Sequence, residues 1–158
     1  MDDERIRQCP DDPVAHLNRG IWHHWHGSYR KALSDYDRAI MLNPTIAYGF
    51  CARANLRATC PDHAFRDGWL ALEDAQTAIK LAQKAGELNR DWRHRLYLWV
   101  LAAAHAAKNQ FREAITFQTR ALDLAITKTA RSTISQRLEQ YRTGNPTSEE
   151  KGLVRCGF

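Results

Sequence analysis

Histidine is the residue type in this chain whose number and spacing could support chemistry. Four histidines at positions 16, 23, 24 and 26 crowd one short segment, and His23 and His26 are spaced i, i+3. On a helix this spacing can place two imidazoles near one metal ion. A third ligand would be needed, and the spacing does not fix whether His63 or a carboxylate would supply it. His23 and His26 are therefore weak metal candidates, and we expect the protein to need no cofactor.

Nucleophilic catalysis has still less support in the sequence. Cys60 stands directly before Pro61 in a predicted loop, where the cysteine-proline pair fits the end of a helix. The chain contains no Gly-x-Ser-x-Gly elbow, no glycine-rich loop that could cradle a phosphate and no evident pair of catalytic carboxylates. We therefore expect that the protein is not an enzyme.

The bulk composition is typical of one soluble domain. At 158 residues with a hydrophobic fraction of 44%, the chain can bury roughly two-thirds of its unfolded surface. The charged start at residues 1–8 lacks the apolar region of a signal peptide, and no apolar run approaches the ~20 residues that cross a bilayer. The four cysteines lie far apart, so we expect reduced thiols and a cytoplasmic protein without a membrane contact.

A repeat organises the positions around these residues. Pro10 and Pro44 lie 34 residues apart, and most residues between them have a counterpart 34 positions later. Pairs of alanines spaced seven apart recur at Ala32 and Ala39 and at Ala114 and Ala121. A period of this length is typical of helix-turn-helix repeats, and each such unit must stack on a neighbour to cover its hydrophobic face.

The pattern predicts an all-α fold, a right-handed α-solenoid of three helix-turn-helix repeats with a C-terminal capping helix. We predict one domain over residues 1–143 and a flexible tail over residues 144–158. The repeats fall at about 13–46, 47–90 and 91–126, and the capping helix at about 129–142. Asp12 with Pro13 predicts the start of the first long helix. Residues 4–10 match only the end of a repeat and predict a single turn over the first repeat's edge.

The second repeat departs from this period. Residues 60–68 form a loop longer than an ordinary turn, and the following helix is predicted to run from about Trp69 to Leu88. If Ala78 and Ala85 correspond to Ala32 and Ala39, the segment 69–75 is an insertion of seven residues. Seven residues add two helical turns and keep the same face inward. A short separate helix is the alternative interpretation.

These features resemble the tetratricopeptide repeat (TPR) family. The stretch HLNRGIWHHWHGSYRKALSDYDRAIMLNP is similar to its pattern of a small residue, a glycine turn, an aromatic residue, an alanine pair and a closing proline. The stretches ATCPDHAFRDG and RLEQYRTGNP resemble a bacterial subgroup, in which the Cys-Pro-Asp triplet is a helix stop. His105 stands where that subgroup has tyrosine, and His23 shares its register, which favours a packing role for both. The resemblance implies a protein-binding scaffold without catalysis.

In this family one stripe of each repeat's first helix forms a concave binding wall. We call the corresponding residues here the concave stripe. Members that bind acidic peptide tails line this wall with lysine, arginine and asparagine, and the stripe here contains only Asn55 of that set. The resemblance therefore implies an apolar groove for a peptide or an amphipathic helix. The concave stripe comprises Val14, Leu17, Ile21, His24, Trp25, Tyr48, Cys51, Asn55, Thr59, Leu96, Trp99 and Ala103.

Three alternatives to an open peptide groove remain at this stage. The third repeat could cover the stripe from within the chain. A second copy could fill it, which would make the protein a homo-oligomer. Binding of nucleic acid or an acidic partner through the basic last helix is less favoured, because the net charge is only +5 and the basic residues of that helix are few. Those residues are Lys128, Arg131, Arg137 and Arg142.

Overall fold

A computed structural model describes residues 2–86, 88 and 92–146 of the chain, and within these residues the fold is all-α. The predicted tail beyond residue 146 and the link at 89–91 lie outside the described residues. No described helix has the length and apolar character needed to span a bilayer. The helices are α1 (Asp2–Gln8), α2 (Pro13–Trp25), α3 (Tyr29–Leu42), α4 (Ala47–Thr59), α5 (Gly68–Lys84), α6 (Trp92–Ala107), α7 (Phe111–Asp123) and α8 (Lys128–Arg142), with a short 3₁₀ turn at His63–Phe65.

Consecutive helices pack as three pairs, α2 with α3, α4 with α5 and α6 with α7. Each pair rests on the one before it, because α4 contacts α3 and α6 contacts both α4 and α5. Helix α1 packs on α2 at one end of the chain, and α8 packs on α7 at the other. Helix α2 begins at Pro13 after its N-cap Asp12, as predicted, and α1 is a helix of seven residues rather than a single turn.

Local signals in the sequence explain where these helices begin and end. The Asp12 carboxylate accepts hydrogen bonds from the backbone N–H groups of Val14 and Ala15, which caps the start of α2. Gly27 adopts a φ of 72°, a left-handed conformation that ends α2 at little steric cost for glycine. Asn43 is extended before Pro44, so α3 stops there.

Small residues allow the paired helices to approach closely. A Cβ atom at Gly20 would lie 2.8 Å from two ring carbons of Tyr36, so only glycine fits against this buried tyrosine. The alanine pairs of the repeat are also buried, with Ala32, Ala39, Ala114 and Ala121 fully inaccessible to solvent. The core is therefore built from short side chains on one helix facing larger ones on the next.

The predicted insertion at residues 69–75 is wrong. Helix α5 buries Ala71 and Ala78, whereas Ala85 is its exposed C-cap residue. Ala71 and Ala78 therefore hold the places of Ala32 and Ala39, and segment 69–75 belongs to the regular repeat. The additional residues lie before α5, in the loop that contains the 3₁₀ turn, and at the end of α5 beyond Ala78. Alanine spacing alone could not choose between two alanine pairs offset by seven residues.

Candidate interaction surface

Each of the first two helix pairs contains its own buried ion pair, which joins the two helices of that pair. Asp35 on α3 is 5% exposed and accepts two hydrogen bonds from the Arg19 guanidinium on α2, at 2.9 and 2.7 Å. Asp74 on α5 is 4% exposed and accepts the same two bonds from Arg53 on α4. Arg19 and Arg53 are 34 residues apart, so the period repeats the ion pair as well as the apolar residues.

Further ionic contacts extend the ion pair at Asp74. Arg57 donates a further hydrogen bond of 2.6 Å to Asp74, and Arg53 also donates to Asp37. Burial alone would lower the pKa of Arg53, but hydrogen bonds and charge attraction from Asp74 and Asp37 raise it above its ordinary value. Arg53 is therefore a permanent cation that fixes α4 between α3 and α5.

The histidines predicted as metal candidates lie in different surroundings. His23 Nε2 is 3.9 Å from an Asp35 carboxylate oxygen, which places this ring beside the buried ion pair. The His26 ring stacks on Trp22 at a centroid distance of 4.0 Å, and its Nδ1–H donates to the Trp22 carbonyl. Within the described residues no group of three or more histidine, cysteine, aspartate or glutamate side chains could hold a metal ion.

The cysteines of the central helices are enclosed. Cys51 is 2% exposed, and its burial raises the pKa of its thiol well above the ordinary value. Cys60 is fully buried, and its carbonyl accepts a hydrogen bond from Arg66 in the loop before α5. A thiol without solvent access is a poor nucleophile, so neither residue has the environment of a reactive cysteine.

The concave stripe is covered over most of its length by the chain's own helices. Leu17 and Ile21 belong to a buried cluster that also contains Leu56 of α4 and Cys60, the residue that follows α4. Trp99 is half-buried, with the Arg137 guanidinium of α8 lying 4.2 Å from its ring centroid. Seven residues of the stripe are buried, namely Leu17, Ile21, His24, Cys51, Asn55, Thr59 and Ala103.

Two residues of the concave stripe stay open to solvent, both on α2. Val14 is 45% exposed and Trp25 is 47% exposed. They are eleven residues apart, a spacing of about three helical turns, so the two side chains lie on nearly the same face of α2. Tyr48 on α4 is half-buried, and burial raises the pKa of its hydroxyl above the ordinary value. The accessible part of the predicted wall is therefore concentrated at the first helix pair.

Other exposed apolar side chains lie away from this face. Trp69 at the start of α5 is 75% exposed, with the Lys108 ammonium 3.3 Å from its ring centroid. The concave stripe did not include Trp22, a further tryptophan of α2 that is 39% exposed.

The basic residues of α8 differ in exposure and pairing. Arg137 is 3% exposed, and Arg142 pairs with Glu139 at 3.3 Å. The four basic residues predicted for this helix therefore do not form one open cationic surface.

A scan of the sequence against protein-family models gives no match, and no curated protein matches it at the significance threshold. The geometry of the helices and their surfaces therefore carries the functional argument.

Proposed function

We propose that this protein is a non-catalytic protein-interaction module built as a right-handed solenoid of three TPR-type repeats. The support for the repeats is the recurrence, 34 residues apart, of an arginine that binds a buried aspartate on the paired helix. Gly20 packed against Tyr36 and the buried alanine pairs are further support, because they meet the close-packing requirement of such units.

The contact surface is the open part of the concave stripe, with Trp25 as its anchor at the end of α2 and Val14 on nearly the same face near the start of the helix. The observation that carries this proposal is the 47% exposure of Trp25 on a helix whose concave residues Leu17, Ile21 and His24 are buried. Exposed tryptophans supply a disproportionate share of binding energy at protein interfaces. The partner is a hydrophobic peptide or an amphipathic helix, because the surface offers apolar area and lacks an array of lysines.

The experiment is a pull-down from a nuclease-treated lysate of the source organism, with wild type, Trp25→Ala and Trp69→Ala as baits. Trp69→Ala is a matched control, since it removes an even more exposed tryptophan from a different helix. Circular dichroism first confirms that both variants remain folded. A protein retained by wild type and Trp69→Ala but lost by Trp25→Ala is then purified and titrated against the three baits.

Direct binding that is weakened at least about tenfold by Trp25→Ala alone supports the proposal. Equal recovery by all three baits contradicts it. Analytical ultracentrifugation distinguishes the homo-oligomer alternative, because wild type would then gain mass with concentration and Trp25→Ala would not.

A further inference from the structure

Helix α8 lies along the part of α6 that carries the end of the concave stripe. The Arg137 guanidinium of α8 is 4.2 Å from the ring centroid of Trp99, a residue of that stripe. One turn further along α8, Tyr141 shares a buried cluster with Ala102 and Ala106 of α6. Trp99, Ala102 and Ala106 are spaced i, i+3 and i+7, so they belong to one face of α6. Helix α8 therefore follows this face and covers it.

The contact between α8 and α7 includes a buried polar group that is only partly satisfied. Gln118 of α7 is fully buried, and its side-chain N–H donates a hydrogen bond of 3.1 Å to the Ile134 carbonyl of α8. Its Oε1 atom accepts no hydrogen bond from the residues that the structure describes. A buried acceptor without a donor destabilises a contact, because water would hydrogen-bond to it once the helices separate.

Helix α8 also offers little apolar area for its own attachment. Four of its fifteen residues are apolar, and three of these, Ile134, Leu138 and Tyr141, are buried. The remaining buried side chain is Arg137, a charge that regains hydration when it reaches solvent. Helix α4, in contrast, buries eight of its thirteen residues. These features favour local opening of α8 over opening of the central helices.

The buried side chains of α8 define the kind of helix that this face accepts. Ile134, Leu138 and Tyr141 are spaced i, i+4 and i+7, and Arg137 at i+3 lies over the Trp99 ring. An amphipathic helix with apolar residues at the first three places and a basic residue at the fourth could make the same contacts.

We infer that α8 is a displaceable cover of the concave stripe on α6, and that an amphipathic helix of a partner protein with the α8 pattern takes its place. The inference rests on the proposed function, because it describes how access to the same concave surface is regulated. With α8 in place, a partner reaches the open surface at Trp25. With α8 displaced, the partner also contacts Trp99.

The first part of the test is hydrogen exchange, followed by mass spectrometry, in the full chain. Leu138→Ala removes a buried contact of α8, and Glu139→Ala is the matched control because the neighbouring side chain is exposed. Leu138→Ala should accelerate exchange in residues 128–142 at least about tenfold and leave residues 13–59 unchanged. Glu139→Ala should change neither segment. Equal acceleration of both segments by Leu138→Ala overturns the inference, because α8 would then open only when the whole chain unfolds.

The second part is binding of a synthetic peptide with the sequence of residues 128–142, amidated and labelled with fluorescein at its N-terminus. Fluorescence anisotropy should show that Leu138→Ala binds this peptide at least about tenfold more tightly than wild type does, since the intact α8 of wild type competes at a high effective concentration. In the Leu138→Ala background, Trp99→Ala should weaken binding and Trp25→Ala should not.

Equal binding by wild type and Leu138→Ala, or binding by neither, overturns the inference. So does an equal effect of Trp99→Ala and Trp25→Ala, or no effect of Trp99→Ala. These outcomes leave the proposed function intact, because that proposal depends on the loss of a lysate protein by Trp25→Ala in a chain whose α8 is unchanged.

Discussion

In the first two helix pairs a buried aspartate of the second helix binds an arginine of the first, whereas the third pair has apolar side chains at these places. When the first helices of the three pairs are aligned on Gly20, Ala54 and Ala102, Leu101 of the third pair corresponds to Arg19 and Arg53. The counterpart of Asp35 and Asp74 is Phe117, whose ring stacks on His105 at a centroid distance of 5.3 Å. The same geometry between paired helices is therefore compatible with an ion pair or with an apolar contact.

Because α6 and α7 pack together without this ion pair, an ion pair is not required to form a helix pair. A buried ion pair recovers through its hydrogen bonds roughly what its desolvation costs, and an apolar pair of suitable shape can replace it. Breaking such a pair on one side is different, because the remaining charge stays buried without its partner. The first two pairs should thus be sensitive to single substitutions in a way that the third is not.

The largest effect is expected from Asp74→Ala. This change removes the carboxylate that binds both Arg53 and Arg57, whose side chains are only 16% and 18% exposed. Loss of one partner of a buried pair should lower the free energy of unfolding by about 3–5 kcal/mol. Urea denaturation followed by circular dichroism measures the change.

Asp37→Ala is the matched control for Asp74→Ala, because Asp37 also binds Arg53 but is 56% exposed. An exposed partner should contribute less than about 1 kcal/mol. Equal losses for the two variants would show that burial of the aspartate does not set the energy of this contact.

A smaller effect is expected when the first pair is converted to the chemistry of the third. Asp35→Ala alone should cost about 3 kcal/mol, because it leaves the Arg19 guanidinium beside His16 and His23 without the carboxylate. Arg19→Leu combined with Asp35→Phe should cost less than that single change, since no unpaired charge remains buried. A double-mutant cycle in urea gives the coupling energy. A double variant less stable than Asp35→Ala would indicate that the first pair cannot accept the apolar solution.

The smallest effect concerns the start of the first pair, where Asp12 caps α2 while α4 has no side-chain cap. Desolvation raises the pKa of Asp12, but hydrogen bonds from the Val14 and Ala15 backbone and the Arg5 charge outweigh it, so the pKa lies below its ordinary 3.8. Because the folded state lowers this pKa, the stability from the cap is present above 3.8 and is lost as pH falls through the folded value.

Asp12→Asn should keep a cap at neutral pH and remove this acid dependence. Thermal melting of both proteins across the acid range measures the difference. If both variants lose stability equally as the pH falls, other carboxylates are responsible for the acid sensitivity of this end of the chain.

The helical elements were largely predictable because their signals are local. A helix begins or ends where a residue restricts the conformation or satisfies the hydrogen bonds of the adjacent backbone. Such residues are Asp12 with Pro13 at the start of α2, Gly27 after α2, and Asn43 with Pro44 after α3. The register of α5 was not predictable from spacing, because alanine pairs at 71 and 78 and at 78 and 85 look alike. The burial of Ala71 with exposure of Ala85, and the pairing of Asp74 with Arg53 across 21 residues, distinguish the two registers.

The candidate surface was predicted less well than the elements. The sequence pattern assigned the twelve residues of the concave stripe to one wall, but the exposure of each side chain depends on which helix packs on it. Asn55 and Thr59 are covered while Val14 and Trp25 are open, although all four belong to the same pattern. Trp22 was missed because its register is not part of the concave stripe, although its side chain is 39% exposed.

The sequence by itself determined the helices, the caps and the 34-residue period, because these follow from backbone preferences and from residues that are near one another in the chain. It also placed Arg19 and Arg53 at equivalent positions. The tertiary structure decided which equivalent residues are buried, since burial is a property of neighbours that lie far away in sequence. Leu56 is fully buried in a cluster with residues of α2 and α3, whereas Trp22 one period earlier is 39% exposed.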